Sequence, residues 1–379
     1  MLLTAPSRVG VSASARGSQR RSAFSAHSSA KPAVSSQLSG NVQLSVGKPH
    51  RRSAGQRIIA QASPSAATVA KGAEAGATGV KVTVVGVGLM GNKIARRLAA
   101  CGHSVRAWNR TLEKAAPLAE AGIAVDPTIA AAVAGSDVVL LTLSDAVTIT
   151  RTLLSEEVRP LLKGKTVLQQ GTIGPKESAA LAAEVSAAGG CYVEAPVLGS
   201  QPEAEKGTLL IMVGAAADPK DDPTGPVWPL LLALGQEPNI HYIGPVGTAA
   251  AVKLALNQLI ASLTIGFSTS LGLVQRSGAP VDKFMSILRA SALYAPTYDK
   301  KLQKMLDRDY GAANFPTKHL LKDVRLFEAE AEAAGLDTRL LAALKGVAQD
   351  AVDRGLANTD YSAVYDAVVF PGDQGAQRQ

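Results

Sequence analysis

The sequence predicts an α/β fold in which a mostly parallel sheet flanked by helices is followed by an all-α C-terminal domain. Three observations carry this. From Val80 onward, short β-branched runs alternate with Ala/Leu-rich segments, the pattern of βαβ units. A glycine-rich turn, Gly86-Val87-Gly88-Leu89-Met90-Gly91, separates the first such run from the first helical segment. After Gly244-Pro245-Val246-Gly247 the alternation stops, and the chain reads as helix to Val369.

Taken in order, strands are expected at Lys81 to Val85, Ser104 to Trp108, Asp137 to Leu143, Lys165 to Gln169, Cys191 to Glu194, Leu209 to Val213 and Ile240 to Ile243. Between them, Asn92 to Cys101, Leu112 to Ala121 and Pro175 to Ala188 read as helices, each followed by glycine. Pro117 weakens the second, because it removes a backbone donor from the helix interior. These elements make residues 80–243 one domain and residues 244–370 a second, with a tail at 371–379. A first long helix is expected from Thr248 to Arg276, stopped by Gly278-Ala279-Pro280. It is apolar, but Lys253, Asn257, Gln258 and several hydroxyls interrupt it, so it reads as a core or dimer-interface helix rather than a membrane span. That favours a homodimer or homotetramer.

Residues 1–62 are rich in Ser, Ala and Arg, and the chain has no Asp or Glu before Glu74. This composition cannot bury a core and matches an organellar transit peptide, the serines favouring the chloroplast stroma over the mitochondrial matrix. A cytosolic tail is the alternative. Residues 63–79 then form a linker. The formal charge of +8 resembles that of a nucleic-acid binder, but ten of the 39 basic residues precede Glu74, leaving 29 against 31 acidic residues in the body. No nucleic-acid partner is expected. Cys101 and Cys191 match no metal-ligand spacing and are expected to be buried, and His103, His241 and His319 share none either, so no metal site is expected.

The glycine turn sits directly after a strand and opens a helix, the context in which GxGxxG marks a Rossmann-type dinucleotide-binding domain. The glycines permit a tight turn and close approach of backbone amides to a pyrophosphate, which also meets the positive end of the helix dipole. Gly86, Val87, Gly88, Leu89, Met90 and Gly91 are therefore cofactor-binding candidates. The second strand ends in Asn109-Arg110-Thr111, without the carboxylate that accepts from the ribose hydroxyls in an NAD site. Asn109 and Thr111 can bond phosphate oxygens and Arg110 can pair with a 2′-phosphate, which selects NADP(H).

The glycine turn, with Ala95 and Leu98 behind it, resembles the N-terminal signature of the β-hydroxyacid dehydrogenase family. Further matches follow in that family's order: Gln170 to Pro175, Glu194 to Ser200 with Gly207-Thr208-Leu209, Gly247 with Lys253 and Asn257, and Lys322-Asp323. The resemblance covers residues 80–370. It implies an oxidoreductase acting on a small-molecule carbonyl substrate in a cleft between the two domains. It also implies Lys253 and Asn257 as catalytic residues that touch substrate, Thr172 and Lys322 as cofactor contacts, and Leu198, Gly199 and Ser200 as the substrate loop. Asp323 would orient Lys322 or cap a helix, and Phe315 would line the pocket or pack in the core. Two positions depart from the family pattern: Gly171 and Leu198 stand where serine or a similar small residue is usual. Leucine cannot donate to a substrate carboxylate, which leaves that role to Ser200, to the Gly199 amide, or to a different substrate.

Reducing a carbonyl needs a hydride and a proton at the developing alkoxide, and a cationic lysine supplies both that proton and charge stabilisation. Lys253 and Asn257, four apart, share one helix face. The activity that the resemblance implies is NADPH-dependent reduction of small aldehydes or keto acids of the glyoxylate and succinic semialdehyde class, reversible as 3-hydroxyacid oxidation. An imine reductase and a catalytically silent NADPH-binding regulator remain as alternatives. The cluster Glu203, Glu205 and Lys206 reads as a solvated face.

Overall fold

The computed structural model describes residues 79–372; the expected leader, the linker up to residue 78 and the tail from residue 373 lie outside the described residues. The strands are β1 (Lys81–Val85), β2 (Ser104–Trp108), β3 (Ala124–Val125), β4 (Val138–Leu141), β5 (Thr166–Gln169), β6 (Cys191–Glu194), β7 (Val197–Leu198), β8 (Leu210–Gly214) and β9 (Ile240–Gly244). They form one sheet in the order β3-β2-β1-β4-β5-β6-β8-β7, with β9 also pairing β8. The first six pair in parallel, while β8 runs antiparallel to β6 and β7. The order 3-2-1-4-5-6 is the doubly wound arrangement that opens a crevice at the carboxyl ends of β1 and β4. Both strands are buried along nearly their whole length, as continuous Val/Leu runs in a parallel sheet require.

The helix Leu89–Ala100 begins inside the glycine motif, three residues before the expected Asn92. The expected helix Leu112 to Ala121 is instead a 3₁₀ turn, Leu112–Lys114, and a four-residue helix, Ala116–Ala119. Pro117 explains the break: without an N–H it fits only the opening turn of the second piece. Strands β3 and β7 and the helices Ile129–Ala134, Ala146–Leu153, Gln201–Lys206 and Trp228–Leu234 were not anticipated. The cysteine expectation is corrected too: Cys101 and Cys191 are exposed free thiols. Cys101 caps the end of Leu89–Ala100 and Cys191 starts β6, so both lie where chain turns leave the core.

The helical region is built on Thr248–Arg276, which ends where the sequence places it. Its hydroxyls are satisfied within the helix: Thr264 Oγ1 donates to the Ile260 carbonyl at 2.7 Å and Ser268 Oγ to that of Thr264 at 2.8 Å. This helix is long and apolar enough to cross a membrane by length and composition. Here its buried side, including Ala261 and Ile265, packs on Leu320, Leu321 and Val324 of the helix Thr317–Ala333 and on Val364 of Val364–Val369.

The helix is joined to the sheet by one buried carboxylate. Glu194 Oε1, at the end of β6, accepts from the amides of Gly247 (2.8 Å), Ala249 (2.9 Å) and Ala250 (3.2 Å). It thereby satisfies the orphan donors of the helix start and meets its positive dipole end. Oε2 of the same side chain accepts from Ser178 Oγ at 2.5 Å.

Candidate active site

The glycine turn has the shape its motif implies. Gly86 has φ +96°, in the left-handed region open to glycine, and its amide donates to the Trp108 carbonyl at 2.9 Å. A Cβ on Gly91 would lie 2.0 Å from the Gly86 carbonyl oxygen, so the third glycine permits helix and strand to approach. A Cβ on Gly88 would meet nothing within 4 Å. The first turn of Leu89–Ala100 carries no side-chain cap and no acidic residue. Open space in front of uncapped amides fits a dinucleotide pyrophosphate.

At the end of β2 the three candidates separate. Asn109 Oδ1 accepts from the Val87 amide at 3.0 Å and Nδ2 donates to the Thr111 carbonyl at 2.8 Å. Its side chain therefore braces the glycine turn, and these two bonds use one of its two Nδ2–H donors. Arg110 and Thr111 are exposed, and Arg110 has no ion-pair partner among the described residues, leaving its guanidinium available to a 2′-phosphate.

A cavity of about 780 Å³ brings most of the remaining candidates together: Met90, Thr172, Leu198, Gly199, Ser200, Lys253, Asn257, Phe315, Lys322 and Asp323 all line it. The Thr248–Arg276 helix supplies Lys253 and Asn257, both buried, at 8% and 3% exposure. Asn257 Nδ2 donates to Asp323 Oδ2 at 2.6 Å, and Lys322 Nζ lies 2.8 Å from Asp323 Oδ1. The Lys322 ammonium also donates to the Thr172 carbonyl, tying Thr317–Ala333 to the loop after β5. Asp323 thus holds Lys322, as the sequence suggested. Burial pushes the Lys253 ammonium down from 10.5 to about 8; Asp323 opposes that shift and Lys322 adds to it. An ammonium that releases its proton near pH 8 is matched to general acid–base work near neutrality.

The substrate loop corrects two expectations. Ser200 begins the helix Gln201–Lys206, where its hydroxyl donates to Glu203 Oε2 at 2.6 Å and its amide to the same oxygen at 2.8 Å. Ser200 is therefore committed to a carboxylate and cannot replace the donor missing at Leu198. Glu203 is not a solvated face: it lines the cavity, and the Ser200 hydroxyl holds its carboxyl below the usual range, with further help from the Lys300 charge. The absent serine at Gly171 has a steric cause, because a Cβ there would lie 2.4 Å from the Leu143 carbonyl oxygen. Gly171 and Gln169 are instead linked by Gln169 Nε2 donating to the Gly171 carbonyl at 2.9 Å.

Sequence reasoning missed several lining residues, among them Gln170, Asn314, Tyr361 and the stripe Thr297, Lys300, Lys301 and Lys304. The stripe belongs to the helix Pro296–Asp307, and its i, i+3, i+4, i+7 spacing was the available signal that these residues share a face. His319, considered only as a metal ligand, lines the cavity with its ring stacked at 15° to that of Phe315.

Comparison with known proteins agrees with this geometry. Residues 81–244 match the family profile described as the NAD binding domain of 6-phosphogluconate dehydrogenase, and residues 247–368 that described as NAD-binding of NADP-dependent 3-hydroxyisobutyrate dehydrogenase. Glyoxylate/succinic semialdehyde reductase 1 of Arabidopsis thaliana is 30% identical over 77% of this chain and 99% of its own length. The chloroplastic reductase 2 of the same plant is 29% identical over 76% of this chain and 79% of its own. Among solved structures, 3-hydroxyisobutyrate dehydrogenase of Mycobacterium tuberculosis has this fold, with TM-score 0.68 and 21% identity over 76% of this chain and 99% of that one. The protein binds NADP(H), and its two matched domains meet around one lysine-bearing cleft; the chain belongs to the β-hydroxyacid dehydrogenase family of NAD(P)-dependent oxidoreductases.

Proposed function

We propose that the protein reduces small aldehydes or keto acids of the glyoxylate and succinic semialdehyde class with NADPH, and runs in reverse as a 3-hydroxyacid dehydrogenase. The observation that carries this reading is the buried Lys253 ammonium, whose proton affinity is lowered to about 8, in a cleft also lined by Met90 of the glycine turn and Thr172 after β5.

The glycine turn and its uncapped helix would hold the pyrophosphate, Arg110 would meet the 2′-phosphate, and Thr172 and Lys322 would contact the nicotinamide end. Bound NADPH supplies the hydride to the carbonyl carbon. Lys253 stabilises the negative charge growing on the carbonyl oxygen and transfers its proton there, becoming a neutral amine that solvent reprotonates. Asn257, held by Asp323, fixes the face of the helix on which this occurs. In oxidation the neutral Lys253 accepts the hydroxyl proton. An NADPH oxidation assay over short semialdehydes, 2-oxoacids and imines, using protein without residues 1–62, tests the reading; NADPH binding with no turnover of any of them would leave a regulator.

Imine reduction is the second reading. Leu198 offers no donor at the substrate loop, and the Glu203 carboxylate in the cleft wall would attract a protonated imine. Turnover of cyclic imines without turnover of carbonyl compounds would select it. We further propose import into the chloroplast stroma, from the serine-rich acid-free leader, and assembly as a dimer or tetramer. The mature N-terminus from plant or algal tissue tests the first, and light scattering of the purified protein the second.

A further inference from the structure

The cleft carries cations that the reaction itself does not use. Among those lining it, Lys322 is balanced by Asp323, and Lys301 by the buried Asp360, whose two oxygens each lie 2.8 Å from its Nζ. Lys300 and Lys304 are not balanced in this way. Lys304 donates to the Gly311 carbonyl at 2.6 Å, which uses one of three N–H groups, and it has no ion pair among the described residues. Lys300 is exposed and has neither a hydrogen bond nor an ion pair among the described residues; its charge acts on Glu203 only through space, as one of the smaller influences on that carboxyl. The two stand one turn apart on Pro296–Asp307, with Thr297 one turn before Lys300 on the same lining face.

The substrate-loop wall has the opposite character. Leu198 is apolar, the Ser200 hydroxyl is given to Glu203, and Glu203 is itself an anion. A substrate carboxylate is repelled there and attracted to the helical wall. Burial adds a second constraint: of these two lining residues Lys253 is 8% exposed, whereas Lys300 is open to solvent. A molecule with its reacting carbon at Lys253 and its anion at Lys300 must separate the two groups by a carbon chain.

Resting on the reductase reading above, we propose that Lys300 and Lys304 bind the terminal anion of the substrate and set its specificity, selecting ω-semialdehydes over α-oxo acids, whose carboxylate adjoins the carbonyl. The shared chemistry is a terminal anion, carboxylate or phosphate. A charge-assisted bond to each ammonium contributes mostly in the ground state and transition state alike, so the effect falls on KM.

The test compares wild type with Lys300→Met and with Lys300→Met/Lys304→Met, using succinic semialdehyde, butanal, glyoxylate and glyceraldehyde 3-phosphate. Wild type should prefer succinic semialdehyde to butanal by at least about tenfold in kcat/KM, and the double variant should erase most of that preference through KM, consistent with about 1.4 kcal/mol per tenfold. A larger lysine-dependent preference for the phosphorylated aldehyde would identify phosphate as the anion. An unchanged acid-to-butanal ratio in the double variant, or a wild-type preference for glyoxylate, overturns the proposal. Lys300→Met alone guards against misfolding, since that side chain makes no hydrogen bond or ion pair among the described residues; it should give part of the loss at a nearly unchanged melting temperature. If wild type reduces no carbonyl at all, the reductase reading fails separately. Calorimetric binding of succinate to the NADP⁺-loaded protein then decides: a roughly tenfold weaker Kd in the double variant supports the anion site, and equal Kd values or no binding to wild type refutes it.

Discussion

Asn257 and Asp323, 66 positions apart, are joined by a 2.6 Å hydrogen bond that ties the lysine-bearing helix to the helix Thr317–Ala333. The Asp323 carboxylate also pairs with Lys322 and acts electrostatically on Lys253, so three of the cleft's polar groups depend on one side chain.

This arrangement predicts opposite pH behaviour for two neighbours. Asp323→Asn removes the charge that raises the Lys253 pKa and should move the alkaline fall of the reduction rate to lower pH; Lys322→Met removes a charge that lowers it and should move the fall to higher pH. Profiles of kcat/KM against pH provide the check. Shifts in the same direction would contradict the electrostatic account.

Lys253→Met should lower turnover by about 10² to 10⁴ while stabilising the fold. Below pH 8 the lysine is charged in both folded and unfolded chains, so the full cost of burying it is present, roughly 3 kcal/mol for a displacement from 10.5 to about 8. That cost shrinks as pH rises from 8 and vanishes above 10.5, where both forms are neutral. Denaturant melts of the two proteins at pH 7 and pH 10 should therefore show a gap in the variant's favour that narrows at the higher pH.

Arg110→Ala should raise the KM for NADPH by about tenfold or more, the worth of one charge-assisted phosphate contact, with little change for NADH. Equal losses with both cofactors would show that Arg110 does not read the 2′-phosphate.

Gly171→Ser restores the residue usual in the family yet should harm this protein. Its Cβ would press on the Leu143 carbonyl oxygen, a backbone atom that cannot rotate away, at a cost of about 1–3 kcal/mol. A lower melting temperature with no gain in activity is expected; unchanged stability would mean the loop yields freely.

How much of this was legible in the sequence depended on local signals. Strands β1, β2 and β6 and the Thr248–Arg276 helix fall where their apolar runs and flanking glycines place them, because burial on a continuous face is written into those residues. Two-residue strands such as β3 and β7 carry no such run; Ala124 and Leu198 are strand residues only because Arg106 and Leu210 lie opposite. In the site, Lys253 and Asn257 were identifiable from their shared face and from family resemblance. Asn109 and Ser200 had the right chemistry, but their hydrogen bonds go to Val87 and Glu203, partners fixed only when loop and strand are folded together. Lys300 and Lys304 look in the sequence like any solvated helix charge, and become cleft residues only once Thr317–Ala333 and the substrate loop enclose them.

The carboxylate of Glu194 has a mechanical consequence. By gripping the amides of Gly247, Ala249 and Ala250 from the end of a β-strand, it makes the opening turn that precedes Lys253 a rigid extension of the nucleotide-carrying half. Breathing that admits a substrate must then bend the chain farther along or swing the later helices outward. Under the proposed chemistry, hydride source and proton source ride together, and the incoming molecule encounters a pair already aligned.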